Sequence, residues 1–186
     1  GAYSFQGSNY GYASGGDEHP TSGDRTSFVI DKFSFTSDAN ATDVGDLAFA
    51  AAKSAGQSSS VSGYVTGGYP ISDSDDTFNY IQKFAFSTDG NATDVADLTG
   101  NVKNASGSSS SASGYVSGGD YGPGGRTNVI EKFPFASDGN GTDVGDLLAV
   151  NERAVGQSSA DNGYVSAGYG GGSTTYNTIQ KFSFTT

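Results

Sequence analysis

Four oxygen-bearing side chains recur at one spacing three times along the chain. Asp38, Asn40, Thr42 and Asp46 stand at relative positions 1, 3, 5 and 9, as do Asp89, Asn91, Thr93 and Asp97, and again Asp138, Asn140, Thr142 and Asp146. Oxygen donors at alternate positions followed by a later carboxylate are what a loop needs to wrap a hard cation, so calcium is the one cofactor this sequence suggests. Against it, Thr is a weak ligand, Asp43, Asp94 and Asp143 stand where calcium loops carry glycine, and no bidentate Glu follows at position 12. Asp-Gly and Asn also make ordinary turns, and a plain turn is the favoured reading. The same stretches hold Asn40-Ala41-Thr42, Asn91-Ala92-Thr93 and Asn140-Gly141-Thr142, with Asn104-Ala105-Ser106 outside them, all N-glycosylation acceptors by pattern. Simple duplication explains that pattern without any sugar.

A second set suits recognition. Tyr69, Tyr121 and Tyr169 lie in segments of varying length and composition, with Asp and Asn nearby. They are candidates for stacking and hydrogen bonding with a saccharide or a protein surface. Lys53, Lys103 and Arg153 recur in another connection, as loop anchors or as a broken ring of positive charge. Lys32, Lys83, Lys132 and Lys181 recur inside an aromatic segment, where pairing with the nearby Asp of the next segment is expected, their stems covering apolar surface.

Catalysis has little support. His19 is the only histidine and Cys is absent, so the usual zinc and copper sets cannot be assembled. No Gly-x-Ser-x-Gly elbow with a histidine partner exists. Asp75-Asp76 would serve a glycosidase only with a second carboxylate facing it at a defined separation.

The elements that must position these groups follow from a repeat. Aligned on Gly11-Tyr12, Gly63-Tyr64, Gly114-Tyr115 and Gly163-Tyr164, the units are spaced by 52, 51 and 49 residues. They run over approximately 1–52, 53–102, 103–152 and 153–186 of a single 186-residue domain or segment. No window holds a sustained 3.6-residue apolar period, so the class is all-β. In the second unit the strands are expected at Gly56–Ser62, Gly63–Thr66, Tyr80–Phe86 and around Thr93–Leu98, with Gly67-Gly68 supplying the positive φ of a tight exit. Alternation places Phe84 and Phe86 on one side of the third strand and Ile81 on the other. The other units repeat this with Phe33, Phe35 and Ile30, with Phe133, Phe135 and Ile130, and with Phe182, Phe184 and Ile179. Both faces of such a sheet must be covered, each buried ring contributing roughly 1.5 to 3 kcal/mol.

A period near fifty with four short strands per unit is the signature of propeller blades. The order of basic residue, small-residue strand, Tyr-x-x-Gly-Gly, aromatic strand, turn and closing apolar-x-x-Leu resembles the kelch repeat over all four units. The resemblance implies a kelch-like β-propeller of four-stranded antiparallel blades, the last lacking its fourth strand. This chain has Phe84 and Val95 where kelch blades usually carry a Tyr in strand 3 and a Trp in strand 4. The acidic turns look like the calcium loops of integrin-type propellers. The copper oxidases built on kelch-like propellers need several His and Tyr ligands and a Cys cross-link, which are missing or too few here. Similar Gly- and Ser-rich repeats look like those of large surface and virion proteins of bacteria and their viruses.

A net charge of −11 and a pI near 4.1 argue against a nucleic acid or an anionic membrane as partner, and no apolar run approaches a transmembrane helix. Met is absent, so the expectation is a processed product or a segment of a longer polypeptide. The fourth unit stops after its third strand, which predicts an open edge at Thr178 to Phe184 for further blades or for other copies of the chain. In a four-stranded meander, turns 1-2 and 3-4 share one face of the ring, and the variable 2-3 connections share the other with Lys53, Lys103 and Arg153. The function expected is a non-enzymatic structural or adhesive component of an extracellular or virion surface assembly (a fibre, appendage or spike), with the 2-3 loops as recognition face. The alternatives are a lectin-like module for a cell-surface glycan and, more weakly, a propeller hydrolase.

Overall fold

The computed structural model describes residues 3–6, 9–18, 25–70 and 76–185. Three antiparallel sheets have four strands in simple meander order. The first is Tyr3–Gln6, Tyr10–Ser14, Val29–Ser34 and Thr42–Asp46; the second Ala55–Ser58, Ser62–Thr66, Tyr80–Ala85 and Thr93–Asp97; the third Ser106–Ser109, Ser113–Ser117, Val129–Pro134 and Thr142–Asp146. A fourth sheet has only Val155–Ser158, Asn162–Ser166 and Ile179–Ser183. Two small hairpins, Asp17–Glu18 with Arg25–Thr26 and Tyr169–Gly171 with Thr174–Thr175, arise from the 2-3 connections of units 1 and 4. A single 3-10 turn at Gly122–Gly124 occupies that connection in unit 3.

The first strand is shorter than the sequence suggests, ending at Ser58 and not at Ser62. The Ser59 hydroxyl accepts from the amides of Val61 and Ser62, and Ser110 does the same for Ala112 and Ser113, so a serine turn replaces the last half of the expected strand. Gly67 and Gly68 have φ of 62° and 102°, as their place at a tight exit requires.

The apolar core lies between sheets. Tyr12, Ile30 and Leu47 of the first sheet meet Val65, Phe84 and Phe86 of the second. Tyr64, Ile81 and Leu98 of the second meet Val116, Phe133 and Phe135 of the third, and Tyr115, Ile130 and Leu147 of the third meet Val165, Phe182 and Phe184 of the fourth. At each of the three joints a leading face of Tyr, Ile and Leu therefore meets a trailing face of Phe, Phe and Val, the two faces separated by period-two alternation. Every interface repeats one aromatic arrangement. The tyrosine stacks on the second phenylalanine at 4.8, 4.8 and 4.6 Å and tilts against the first at 5.4, 5.5 and 5.6 Å. Gly63 is cross-strand from Phe84, whose ring occupies the space a Cβ would fill; Gly11, Gly114 and Gly163 relate in the same way to Phe33, Phe133 and Phe182. Val44 and Val95 of the fourth strands pack against these clusters, whereas Val144, beside the three-stranded sheet, is exposed.

The first strands converge side by side. A Cβ on Gly107 would overlap the Gly56 carbonyl oxygen, and one on Gly156 would overlap that of Gly107. Only glycine permits this approach, which sets the first strands of the second, third and fourth sheets against one another in a propeller-like arrangement; each sheet is called a blade below.

Candidate functional site

Two of the three acidic turns prove to be clamps between blades. Lys32 of blade 1 donates to both carboxylate oxygens of Asp89 in the turn of blade 2, at 2.9 and 2.8 Å, and Lys83 makes the same bidentate contact with Asp138 of blade 3 at 2.8 and 2.9 Å. The expected partner was the Asp of the adjacent fourth strand; the lysine instead leaves its own blade, because the next blade brings its turn alongside. These contacts raise both lysine pKa values above the ordinary 10.5, the side-chain bond to Asp being the largest cause. The asparagine two residues on completes the clamp. Asn91 Oδ1 accepts from the Asp46 amide and Asn140 Oδ1 from that of Asp97, while the amides of Ala92 and Gly141 donate to the Asp46 and Asp97 carbonyls at 2.8 and 2.7 Å. Asp89 and Asp138 hold φ of 45° and 48°, a left-handed conformation Asp tolerates better than most residues.

The calcium reading can be placed against this geometry. Asp89, Asn91, Asp138 and Asn140 direct their oxygens outward to the preceding blade, and Thr142 donates its hydroxyl to the Lys132 carbonyl. Asp43 and Asp143, at the would-be glycine position, accept from the amides of Gly45 and Gly145. Asp38, Asn40, Thr42, Asp46, Thr93, Asp97 and Asp146 are exposed. Among the described residues no three His, Cys, Asp or Glu side chains converge as a metal-binding group. Of the glycosylation acceptors, Asn104 is buried and donates to Glu152.

A further inter-blade device lies on the third strands. Gln82 Oε1 accepts from the Phe49 amide and its Nε2 donates to the Phe49 carbonyl. Glu131 accepts from the Thr99 amide at 2.7 Å, and Gln180 from that of Leu148 at 2.8 Å. Burial, ahead of any neighbouring charge, raises the pKa of Glu131 above its ordinary value.

On the loop face the structure brings two of the three predicted tyrosines to the predicted cations. The Lys53 ammonium lies 4.3 Å from the Tyr69 ring centroid and that of Lys103 5.7 Å, while the guanidinium carbons of Arg126 and Arg153 lie 4.9 and 6.0 Å from the Tyr169 ring. Two assignments need correction. Bridges Ala52↔Tyr69, Lys103↔Asp120 and Glu152↔Tyr169 show that Lys103 corresponds to Ala52 and Glu152, and that Asn104 is the counterpart of Lys53 and Arg153. Those three share φ of 55°, 57° and 58°, and a backbone ladder joins them, Asn104 N to Lys53 O and Arg153 N to Asn104 O, both at 2.8 Å. Tyr121 is one residue beyond the tyrosine position; it packs against the core between blades 2 and 3, and burial raises its pKa.

Sequence reasoning missed the ionic centre of this face. Glu152 is 1% exposed; it accepts from Arg126 Nε at 2.8 Å and Asn104 Nδ2 at 3.0 Å, and Arg153 Nε lies 3.7 Å away. Aligning the units on Gly56, Gly107 and Gly156 would have exposed it, since a buried carboxylate stands there where unit 2 has Ala52. An aromatic platform was also missed: Phe49 stacks on Tyr80 at 4.3 Å beside Phe78. His19 and Asp75 lie outside the described residues.

A groove of about 640 Å³ runs along the first strands of blades 2 to 4, lined by Gly56–Ser60, Gly107–Ser111 and Gly156–Ser158. The Ser58 amide donates to Ser109 Oγ and the Ser109 amide to Ser158 Oγ, at 3.0 and 2.8 Å. Among the described residues no charged side chain lines the groove, and those that do line it offer neutral hydrogen bonding.

No known protein family and no curated protein matches the sequence. Among solved structures, that of YjhT superposes with a TM-score of 0.75 at 13% identity over 90% of this chain. The match covers 58% of YjhT, so the chain spans less than two thirds of that structure. The likeness concerns the fold alone, an all-β, propeller-like arrangement of antiparallel sheets.

Proposed function

We propose that the chain is a kelch-like blade array serving as a non-enzymatic structural or adhesive component of an extracellular or virion surface assembly, with the 2-3 loops as its recognition face. One observation carries the reading. The chemistry-capable groups that recur from unit to unit are spent on their neighbours: Lys32 and Lys83 on Asp89 and Asp138, Asn91 and Asn140 on backbone amides, Gln82 and Gln180 on the preceding blade. What differs between units, two hairpins, a 3-10 turn and the Arg126–Glu152 pair, gathers in the 2-3 connections and beside them. A scaffold of fixed joints with variable loops is the usual design for binding.

Binding of a cell-surface saccharide has one observation in its favour, the partly exposed Phe49–Tyr80 stack. Tyr69 and Tyr169 suit it less, since a cation already lies over each ring. The test is a glycan and surface-protein array probed with wild-type chain, Tyr69→Ala and Phe49→Ala. Saturable binding lost in a loop-face variant and kept in Lys83→Ala supports recognition through this face. Release of cleaved saccharide overturns the non-enzymatic reading.

A further inference from the structure

The described residues leave two unlike blade faces uncovered, and these are the halves of one joint. Blade 1 presents a trailing face with no blade before it among the described residues. Phe33 and Phe35 stand edge-to-face at 5.9 Å, as Phe84–Phe86, Phe133–Phe135 and Phe182–Phe184 do at 5.9, 5.7 and 5.8 Å inside formed interfaces. The aromatic half is thus preformed, yet Phe35 is 49% exposed where Phe135 and Phe184 are each 8%. Beside it, Asp38 and Asn40, the counterparts of the clamp residues Asp89 and Asn91, are exposed.

Blade 4 presents the leading half. Ile179 is 74% exposed where Ile30, Ile81 and Ile130 are at most 4%, and Val155 is 59% exposed where Ala55 is 1%. Tyr164 holds the place of Tyr12, Tyr64 and Tyr115, and Lys181, counterpart of Lys32 and Lys83, is exposed. Cation on one end and carboxylate on the other complete the match. Exposed apolar surface rimmed by such groups marks an interaction site.

We propose that the leading face of blade 4 docks on the trailing face of blade 1 of a second copy of this chain. Tyr164 and Ile179 meet Phe33 and Phe35, as in the three internal joints, and Lys181 pairs with Asp38, as Lys32 and Lys83 do with Asp89 and Asp138. The contact is heterologous, head to tail, and it joins blade faces, in addition to whatever pairs with the strand edge at Ile179–Ser183. It lacks the leucine that Leu47, Leu98 and Leu147 contribute at the other joints, since the described residues of unit 4 hold no fourth strand, so it is weaker than those joints. The inference rests on the structural reading above in treating the chain as a part of an assembly, but the two fail separately, because association does not involve the loop face.

Sedimentation velocity of the full chain over a concentration series is the test. Wild type associates as concentration rises, while Phe35→Asp and Ile179→Asp each remain monomeric with unchanged circular dichroism. A mixture of the two variants recovers a one-to-one dimer that grows no further, because Ile179→Asp still supplies an intact Phe face and Phe35→Asp an intact Ile face. The milder pair Asp38→Lys and Lys181→Asp, each weakening association alone and restoring it when combined in one chain, gives the same reading without touching apolar residues. A wild type that stays monomeric at every concentration overturns the proposal and points to further blades as the occupant. Association that survives both aspartate variants, or a mixture that stays monomeric, overturns it in favour of edge pairing.

Discussion

Glu131→Gln should stabilise the chain at neutral pH, although it removes a charge-assisted hydrogen bond. The carboxylate is 3% exposed and accepts from the Thr99 amide at 2.7 Å. A bond from an amide to a charged acceptor contributes about 1.5–3 kcal/mol and a neutral one about 0.5–1.5, so the exchange loses about 1 kcal/mol. Against that stands the desolvation of a buried carboxylate, several kcal/mol in effective terms, of which a buried amide incurs a part, about 1–3 kcal/mol. The glutamine also gains a donor. In blade 2, Gln82 fills the same position, fully buried, accepting from the Phe49 amide and donating to its carbonyl. The net is a gain of about 1 kcal/mol or a little more, which raises Tm by about 2–4 °C for a chain of this size. The pH dependence has a definite sign. Burial raises the folded-state pKa of Glu131 above its ordinary 4.5, so the folded state binds the proton more tightly, and wild-type stability falls as pH rises from 4.5 through the raised value. The variant does not titrate there, so its advantage is smallest in acid and reaches full size once pH exceeds the folded pKa. Thermal melts of both proteins across that range measure the difference directly. A variant less stable than wild type at neutral pH, or an advantage that shrinks as pH rises, would refute the reasoning.

Other outcomes follow from the same joints. Gly107→Ala and Gly156→Ala place a methyl against the neighbouring carbonyl and should cost about 3 kcal/mol or more, whereas Gly90→Ala, with nothing within 4 Å of its Cβ, should stay within about 1 kcal/mol; chemical denaturation separates them. Lys83→Ala removes a half-exposed ion pair and should cost about 0–1 kcal/mol, less in high salt. Because the bond to Asp138 raises the folded pKa of Lys83, that contribution is complete below 10.5 and fades as pH rises through the folded value, which alkaline melts of wild type and variant will show. Excess chelator should leave Tm unchanged, since Asp89 and Asp138 already hold lysines; a fall in Tm would show a bound cation, because a ligand specific to the folded state must stabilise it.

Much of the fold was legible because duplication writes it four times. The third strands fell within one residue of Tyr80–Ala85 and the fourth within one of Thr93–Asp97, since Phe-x-Phe alternation and the Thr-Asp-Val run are local signals. The serine-rich first strand carried no such period, so the turn at Ser59 was invisible until its hydroxyl was seen capping Val61 and Ser62. Site residues were harder for a different reason. Lys32 finds Asp89 57 residues away and Lys83 finds Asp138 55 away, and nothing local shows that a side chain will prefer the next blade to its own. Lys103 was grouped with Lys53 and Arg153 by charge, whereas the register of the inner glycines puts Asn104 in that place.

Each joint in this protein is made of one blade's leading face and the next blade's trailing face, and every long-range aromatic stack and clamp described links immediate neighbours. Such a chain behaves as a one-dimensional series of coupled units, in which stability is the sum of each unit's own term and one coupling per joint. Among the described residues blades 2 and 3 carry two couplings and blades 1 and 4 one each, so in the isolated monomer of this chain hydrogen exchange should be fastest in blades 1 and 4 and slowest in blades 2 and 3. Breaking the joint at Tyr64, in the middle, would leave two pairs of blades to melt apart, where the same loss at Tyr12 would release a single blade and spare the rest.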